Sequence, residues 1–281
     1  MARKPSMQTL RKKADQGDLE AQYQLGRRYL HGIDVNPDLK RAVGLLKSAA
    51  EAGHTSAQYD LSVCYNQGIG VRKNLKTAVE WVSKAAKKGD PDAQYNLWLA
   101  YAQGDGVKAD MKKAIGWLKK SAESGCVEAM TELGLRYLNG DDVRPNTKKA
   151  VELLEAAAGA GDEDAQFLMG ALYDEGELVE RDAKLAAGWY QLAAASGHPA
   201  AQYNLALMLK DGDGVKKSAK KAATMFKKAA EQDVPQAQRL LAICFISGTG
   251  VRRDIQSALY WLTRAAELGD EEAIDLLSEL K

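Results

Sequence analysis

Apolar side chains recur along this chain at spacings of three and four residues, which places them on one face of an α-helix. The stretch AQYNLWLAYAQGDGV, which begins at Ala93, shares this pattern with AQYNLALMLKDGDGV, which begins at Ala201. Division of the chain every 36 residues from Ala21 gives seven segments without insertion or deletion. Such a fixed period predicts an array of helical units that stack on one another.

Each segment predicts two helices, which we name helix A and helix B in chain order. Helix A ends at a glycine, which can adopt the left-handed conformation that closes a helix: Gly32, Gly68, Gly104, Gly140, Gly176, Gly212 and Gly248. Helix B follows a residue that can accept hydrogen bonds from the free amides of its first turn: Asp38, Asn74, Asp110, Asn146, Asp182, Ser218 and Asp254. Small and bulky residues alternate within helix B, as close helix packing requires.

The pattern therefore predicts an all-α fold, a right-handed α-solenoid superhelix of seven 36-residue helix-turn-helix repeats. The repeats span residues 21–56, 57–92, 93–128, 129–164, 165–200, 201–236 and 237–272. We expect residues 1–7 to be a flexible leader and residues 8–20 an N-terminal capping half-repeat. Residues 273–281 are expected to form a C-terminal capping helix with a charged outer face.

The composition limits the compartment and the class of partner. The 281 residues include 39 Lys and Arg against 38 Asp and Glu, a balance that gives no global attraction to nucleic acid or to a membrane. No apolar run could span a bilayer and the start lacks a secretory segment, so we expect a cytoplasmic protein. An exported effector or a trimmed periplasmic protein stays an alternative. Three unevenly spaced cysteines favour reduced thiols over disulfides.

The repeat pattern resembles a known family. The segment AQYDLSVCYNQGIGVRKNLKTAVEWVSKAAKKGD, from Ala57, is similar to the Sel-one-like repeat, a relative of the tetratricopeptide repeat, and the resemblance covers residues 21–272. It implies a bacterial protein-binding scaffold or adaptor whose helices A line a concave groove. Within the same family a toxin-neutralising immunity protein or an exported effector is the alternative.

Residues that could carry chemistry are scattered. His31, His54 and His198 have no Cys, Asp or Glu at metal-ligand spacing on one helix, and the Gly-x-Gly turns follow a helix instead of opening one. We therefore expect no catalytic, cofactor or metal site and no enzyme activity. An enzyme acting on peptidoglycan, and a nucleic-acid or anion binder using Lys216 to Lys228, are the weaker alternatives.

A partner should contact the side of helix A that does not pack on its neighbours, at positions 3, 7, 10 and 11 of each segment. The candidate residues are Tyr23, Arg27, Tyr59, Val63, Tyr95, Leu99, Leu135, Leu138, Phe167, Asp174, Glu175, Tyr203, Leu207, Asp211, Arg239 and Ile243. Aromatic and aliphatic residues at these positions are typical of binding hot spots. The position-3 aromatics could instead fill contacts between neighbouring helices.

Charge is sorted along the chain although its total is balanced. Residues 1–128 carry a net charge of +7, whereas residues 129–200 carry −7. We expect a basic segment of the partner to face repeats four and five, with electrostatics setting orientation and encounter rate. Alternatively, the bias only aids solubility.

Overall fold

The structure is a computed structural model that describes residues 6–280, and it confirms the all-α prediction. Sixteen helices and no strand occur in this range. In chain order they are α1 Met7–Asp15, α2 Leu19–His31, α3 Leu39–Glu51, α4 Thr55–Gln67, α5 Leu75–Lys87, α6 Pro91–Gln103, α7 Met111–Glu123, α8 Val127–Asn139, α9 Thr147–Gly159, α10 Glu163–Glu175, α11 Ala183–Ser196, α12 Pro199–Asp211, α13 Ala219–Ala230, α14 Pro235–Ser247, α15 Ile255–Glu267 and α16 Glu271–Leu280.

The chain divides into two compact units of similar size. Unit 1 contains α1 to α8 and unit 2, which begins at residue 146, contains α9 to α16. Within each unit, every helix packs against the helix that follows it in the sequence. Both units are therefore α-solenoids, built from antiparallel helices joined by short turns.

Caps at the helix ends fix where each helix starts and stops. All seven residues predicted to cap helix B accept a hydrogen bond from a backbone N–H of the first turn, as Asp38 does from Arg41 at 3.0 Å. All seven predicted glycines close helix A in the left-handed conformation, with φ between 68° and 85°. Asp233, which replaces the glycine that follows helix B elsewhere, adopts the same conformation at φ 59°.

A buried or half-buried glutamine joins most helices A to the helix B before them. In six of the seven repeats its side-chain Nε2 donates to the carbonyl of a residue eight positions earlier, at the end of helix B. Gln58, for example, donates to Ala50 at 3.0 Å. The six glutamines are Gln22, Gln58, Gln94, Gln166, Gln202 and Gln238. In five of these six junctions the carbonyl also accepts the backbone N–H three residues later, as Ala50 does from Gly53 at 3.1 Å, so the glutamine adds a second hydrogen bond to it.

The second glycine of the Gly-x-Gly turn makes room for the preceding repeat. A Cβ on Gly106 would collide with the backbone carbonyl of Leu75, the first residue of α5, and φ at Gly106 is 71°. Gly70, Gly214 and Gly250 lie in the same relation to Leu39, Ala183 and Ala219. The turn between helices of one repeat therefore packs directly on the first turn of the previous helix B.

The described part of the chain begins and ends with the helices α1 and α16, where the sequence predicts capping helices. Residues 1–5 of the predicted leader lie outside the described residues, whereas Ser6 caps α1 and Met7 is its first residue. At the other end, α16 begins at Glu271 and Ala273 is its buried contact with α15. None of the helices in residues 6–280 is long and apolar enough to cross a lipid bilayer.

We expect Gly106→Ala to lower the free energy of unfolding by about 1–3 kcal/mol, because the substitution combines a strained backbone with a steric collision. Gly116 in α7 is the matched control, since nothing lies within 4 Å of a Cβ built there. Gly116→Ala should raise the free energy of unfolding by about 0.5–1 kcal/mol through helix propensity. Urea titrations followed by circular dichroism compare the two, and effects of the same sign would contradict the packing described.

Candidate functional site

The predicted partner-binding residues lie on helices A in both units, and each is half-buried or exposed. In unit 1, Arg27 is exposed and the other seven side chains are half-buried. The half-buried residues are Tyr23, Tyr59, Val63, Tyr95, Leu99, Leu135 and Leu138. In unit 2, Phe167, Asp174, Tyr203, Leu207 and Arg239 are half-buried, whereas Glu175, Asp211 and Ile243 are exposed. Each of these side chains therefore divides its surface between internal packing and the outside.

A cleft in unit 1 brings three of these residues together. It lies between α4 and α6 above α5, and its volume is about 350 Å³. Tyr59, Val63 and Leu99 line it, and the sequence prediction named all three. Four amide side chains share the cleft, which are Asn66, Gln67, Asn96 and Gln103. Asn66, Gln67 and Gln103 stand at positions 10 and 11, which the sequence predicts to face a partner, whereas Asn96 stands at position 4 and was not predicted.

The cleft combines an apolar wall with a polar mouth. Val63, Val79 and Leu99 contribute to the wall, and the hydroxyl of Tyr59 accepts a hydrogen bond from Asn96 Nδ2 at 3.3 Å. Burial, followed by the nearby carboxylate of Asp92, raises the pKa of Tyr59, so that its phenol stays protonated and neutral. Asp105 is the one Asp, Glu, Lys or Arg among the described residues that line the cleft.

Two position-3 aromatics pack against the start of the next helix A. The ring of Tyr23 stacks on His54 with centroids 4.6 Å apart, and Phe167 stacks on His198 with centroids 4.5 Å apart. Both pairs join consecutive repeats within one unit. At these two positions the side chain contributes to the contact between helices, which was the second interpretation of the sequence.

The same histidines cap helices, a role that the sequence analysis did not assign. His54 Nδ1 accepts a hydrogen bond from the backbone N–H of Ala57 at 3.2 Å, and His198 Nδ1 does so from Ala201. The other ring nitrogen of His54 therefore carries the proton and donates to Glu20 at 3.0 Å. This bond is the main cause that lowers the pKa of Glu20.

A signal for this role was present in the sequence. His54 and His198 occupy the position, in the 36-residue period, at which Asp18, Asp90 and Asp162 cap other helices A. Alignment of the helix starts across repeats would have predicted the cap, because Asp is a preferred residue there.

Arg239 stands at position 3 but makes an ion pair instead of an aromatic contact. Its Nε donates to Asp270 at 2.9 Å and its guanidinium reaches Glu272 at 2.7 Å. The side chains of Arg239 and Asp270 are 14% and 6% exposed. Asp270 also accepts from the backbone N–H of Ala273, so this arginine holds the first turn of α16.

The three acidic residues predicted in unit 2 to contact a partner differ in whether a basic side chain pairs with them. Asp174 accepts from Arg181, whose Nε also donates to the backbone carbonyl of Asp174 at 2.9 Å. Arg181 pairs in addition with Asp213 of the next turn. Glu175 makes no ion pair with any described residue, and Asp211 only meets Lys210 at 3.8 Å. Glu175 and Asp211 therefore carry the accessible negative charge.

The three cysteines are buried or half-buried. Burial raises the pKa of the Cys64 thiol to about 11 and also raises that of Cys126 and Cys244, which disfavours the reactive thiolate. Within residues 6–280, no three His, Cys, Asp or Glu side chains lie close enough together to hold a metal ion. The arrangement offers contact surfaces and hydrogen-bonding groups.

Comparison with known proteins gives the same repeat. A model of the Sel1 repeat matches residues 19–54, 55–90, 91–126, 127–162, 163–198, 199–234 and 235–270, each starting two residues before the segments defined from the sequence. No curated protein matches the chain.

Two solved structures have similar folds and clear sequence identity. One is c5321, a protective antigen of uropathogenic Escherichia coli that displays an SLR fold, with 34% identity and a TM-score of 0.93. The match covers 98% of this chain but 59% of c5321, so the chain spans about three fifths of that protein. The other is a Sel1 repeat protein from Oxalobacter formigenes, with 32% identity, a TM-score of 0.76 and coverage of 98% and 80%.

We expect Arg239→Met to loosen α16, because removal of one partner from a buried ion pair costs about 3–5 kcal/mol. Hydrogen exchange measured by mass spectrometry should become faster in residues 271–280. Arg264→Met is the control, since the pair of Arg264 with Asp233 is exposed and such pairs contribute little. Unchanged exchange in α16 of the Arg239 variant would contradict the role of this ion pair in holding α16.

Proposed function

This chain belongs to the Sel1 repeat family, whose members generally mediate protein–protein interaction, and we propose that it is a non-catalytic scaffold binding another protein along its helices A. The observation that carries the proposal is the unit 1 cleft, where half-buried Tyr59, Val63 and Leu99 meet beside polar side chains. Such a mixture of apolar anchors and hydrogen-bonding groups is typical of protein-binding sites.

The proposal includes a preference for basic segments in unit 2. Glu175 and Asp211 end successive helices A, α10 and α12, and both side chains are exposed. Their carboxylates attract a basic segment of the partner before contact, which affects the association rate more than the final affinity. Asp174 contributes less because Arg181 already neutralises part of its charge.

We expect Leu99→Glu to remove binding of proteins that the unaltered chain captures from its source cells. A buried charge in the apolar wall should weaken the interaction by about 2 kcal/mol or more, or roughly thirtyfold. Leu192→Glu is the matched control, because Leu192 is 51% exposed and lies on α11, a helix B. The thermal unfolding midpoint of each variant identifies any loss of fold.

If the Leu99→Glu variant keeps the partner and the Leu192→Glu variant loses it, the partner binds to helices B, and the proposed surface on helices A is wrong. A chain that captures no protein in either form would remove support for a scaffold role altogether.

We expect Glu175→Lys combined with Asp211→Lys to slow association with the captured partner, and the effect should shrink as salt rises because salt screens exposed charges. Glu152→Lys combined with Glu155→Lys changes the net charge equally but alters exposed residues of α9, a helix B. Surface plasmon resonance at low and high salt separates the two pairs. Equal slowing by both pairs would mean that net charge acts without a local site.

A further inference from the structure

We propose that the cleft of unit 1 binds a short partner segment in extended conformation and forms hydrogen bonds with its backbone. The inference rests on the proposed scaffold function and names the form of the ligand at this one site. Its basis is the set of amide side chains at the mouth of the cleft, beside the apolar wall of Val63, Val79 and Leu99.

The amides at the mouth are available to a ligand. Asn66, Gln67 and Gln103 are exposed. Gln67 and Gln103 are the last residues of α4 and α6, and Asn66 is the residue before Gln67. None of their side chains forms a hydrogen bond with any residue of the described range. Asn96 uses one amide hydrogen for Tyr59 and keeps its carbonyl oxygen and second hydrogen.

An amide side chain matches a peptide group because each has both N–H donors and a C=O acceptor. An extended segment has unpaired backbone groups on both sides, and these need partners when the segment is buried. A helix has already paired its interior backbone groups within itself. A helical ligand would therefore leave Asn66, Gln67 and Gln103 unused, and it would hold them away from water at a cost.

The spacing of the amides suits a few extended residues. Asn96 and Gln103 are seven positions apart on α6, which is about 10 Å along a helix axis at about 1.5 Å per residue. About three residues of extended chain span the same distance, at about 3.3 Å each. The volume of about 350 Å³ is also near the lower end for ligand pockets, which suits a short length of chain.

The lining predicts which side chains the segment carries. Val63, Val79 and Leu99 accept one apolar side chain, since the wall they form has no charge. Asp105 lies in the turn after α6 and makes no ion pair with any described residue, so a basic side chain fits beside it. The ligand is thus a short extended peptide with an apolar residue and a basic residue.

The probe for this proposal is a phage library of linear twelve-residue peptides, selected on the immobilised full chain. Selected peptides should bind at least tenfold more weakly to a variant with Gln67→Leu and Gln103→Leu. N-methylation of single backbone amides in the peptide should give a similar loss at two or more positions. Gln191→Leu with Gln256→Leu, at exposed amides on α11 and α15, should leave the Kd unchanged.

Three results would overturn the proposal. They are a library that yields no binder, binders insensitive to Gln67→Leu with Gln103→Leu, and binders insensitive to backbone methylation. Failure here is distinguishable from failure of the scaffold function. If the natural partner is lost with Leu99→Glu but kept by the double glutamine variant, the scaffold function stands and extended recognition falls.

Discussion

The hydrogen bond from a glutamine side chain to a carbonyl at the end of the preceding helix B is the directional contact of the stacking in six of the seven repeats. A carbonyl oxygen has two lone pairs, and at Ala50 the backbone N–H of Gly53 uses one of them. The glutamine side chain uses the other, and the bond is strong only over a narrow range of distances and angles between the two helices. Apolar burial supplies most of the attraction between helices, since it is not directional, whereas the glutamine fixes their register. The alanines at the same junction allow the approach that the bond requires, and Ala50, Ala57 and Ala93 are almost fully buried.

Much of the fold could be predicted because the period repeats the same local chemistry. Asp38 and Asn74 cap helices, and Gly68 closes one, through contacts with residues only three or four positions away. Contacts between residues so close in the sequence can be predicted from the residue types alone. The glutamine bond was missed because a polar residue in a helix pattern normally indicates exposure. Only the packing of two helices shows that Gln58 is buried. The histidine caps were missed for a simpler reason, since histidine is uncommon at that place and its ring contacts come from the repeat before.

The candidate site was predictable to a smaller extent. The face of helix A and the residues Tyr59, Val63 and Leu99 followed from helical periodicity, and the structure brings these three together. Arg239 and Tyr59 both occupy position 3, and the residue that caps the following helix is an aspartate in both cases, Asp270 and Asp90. The sequence pattern therefore did not show that Arg239 uses its side chain in an ion pair with Asp270, whereas the hydroxyl of Tyr59 meets Asn96 in the cleft.

One junction lacks the glutamine. Met130 occupies its place at the start of α8 and cannot donate a hydrogen bond to the carbonyl of Ala122, which accepts the backbone N–H of Gly125 at 3.1 Å. Besides apolar contacts, the ammonium of Lys119 on α7 lies over the ring of Tyr137 on α8. Apolar surfaces can slide past each other with little change in buried area, whereas a hydrogen bond breaks within a fraction of an ångström. We therefore expect the junction between α7 and α8 to resist a small relative displacement less than the junctions of unit 1 that have the glutamine bond.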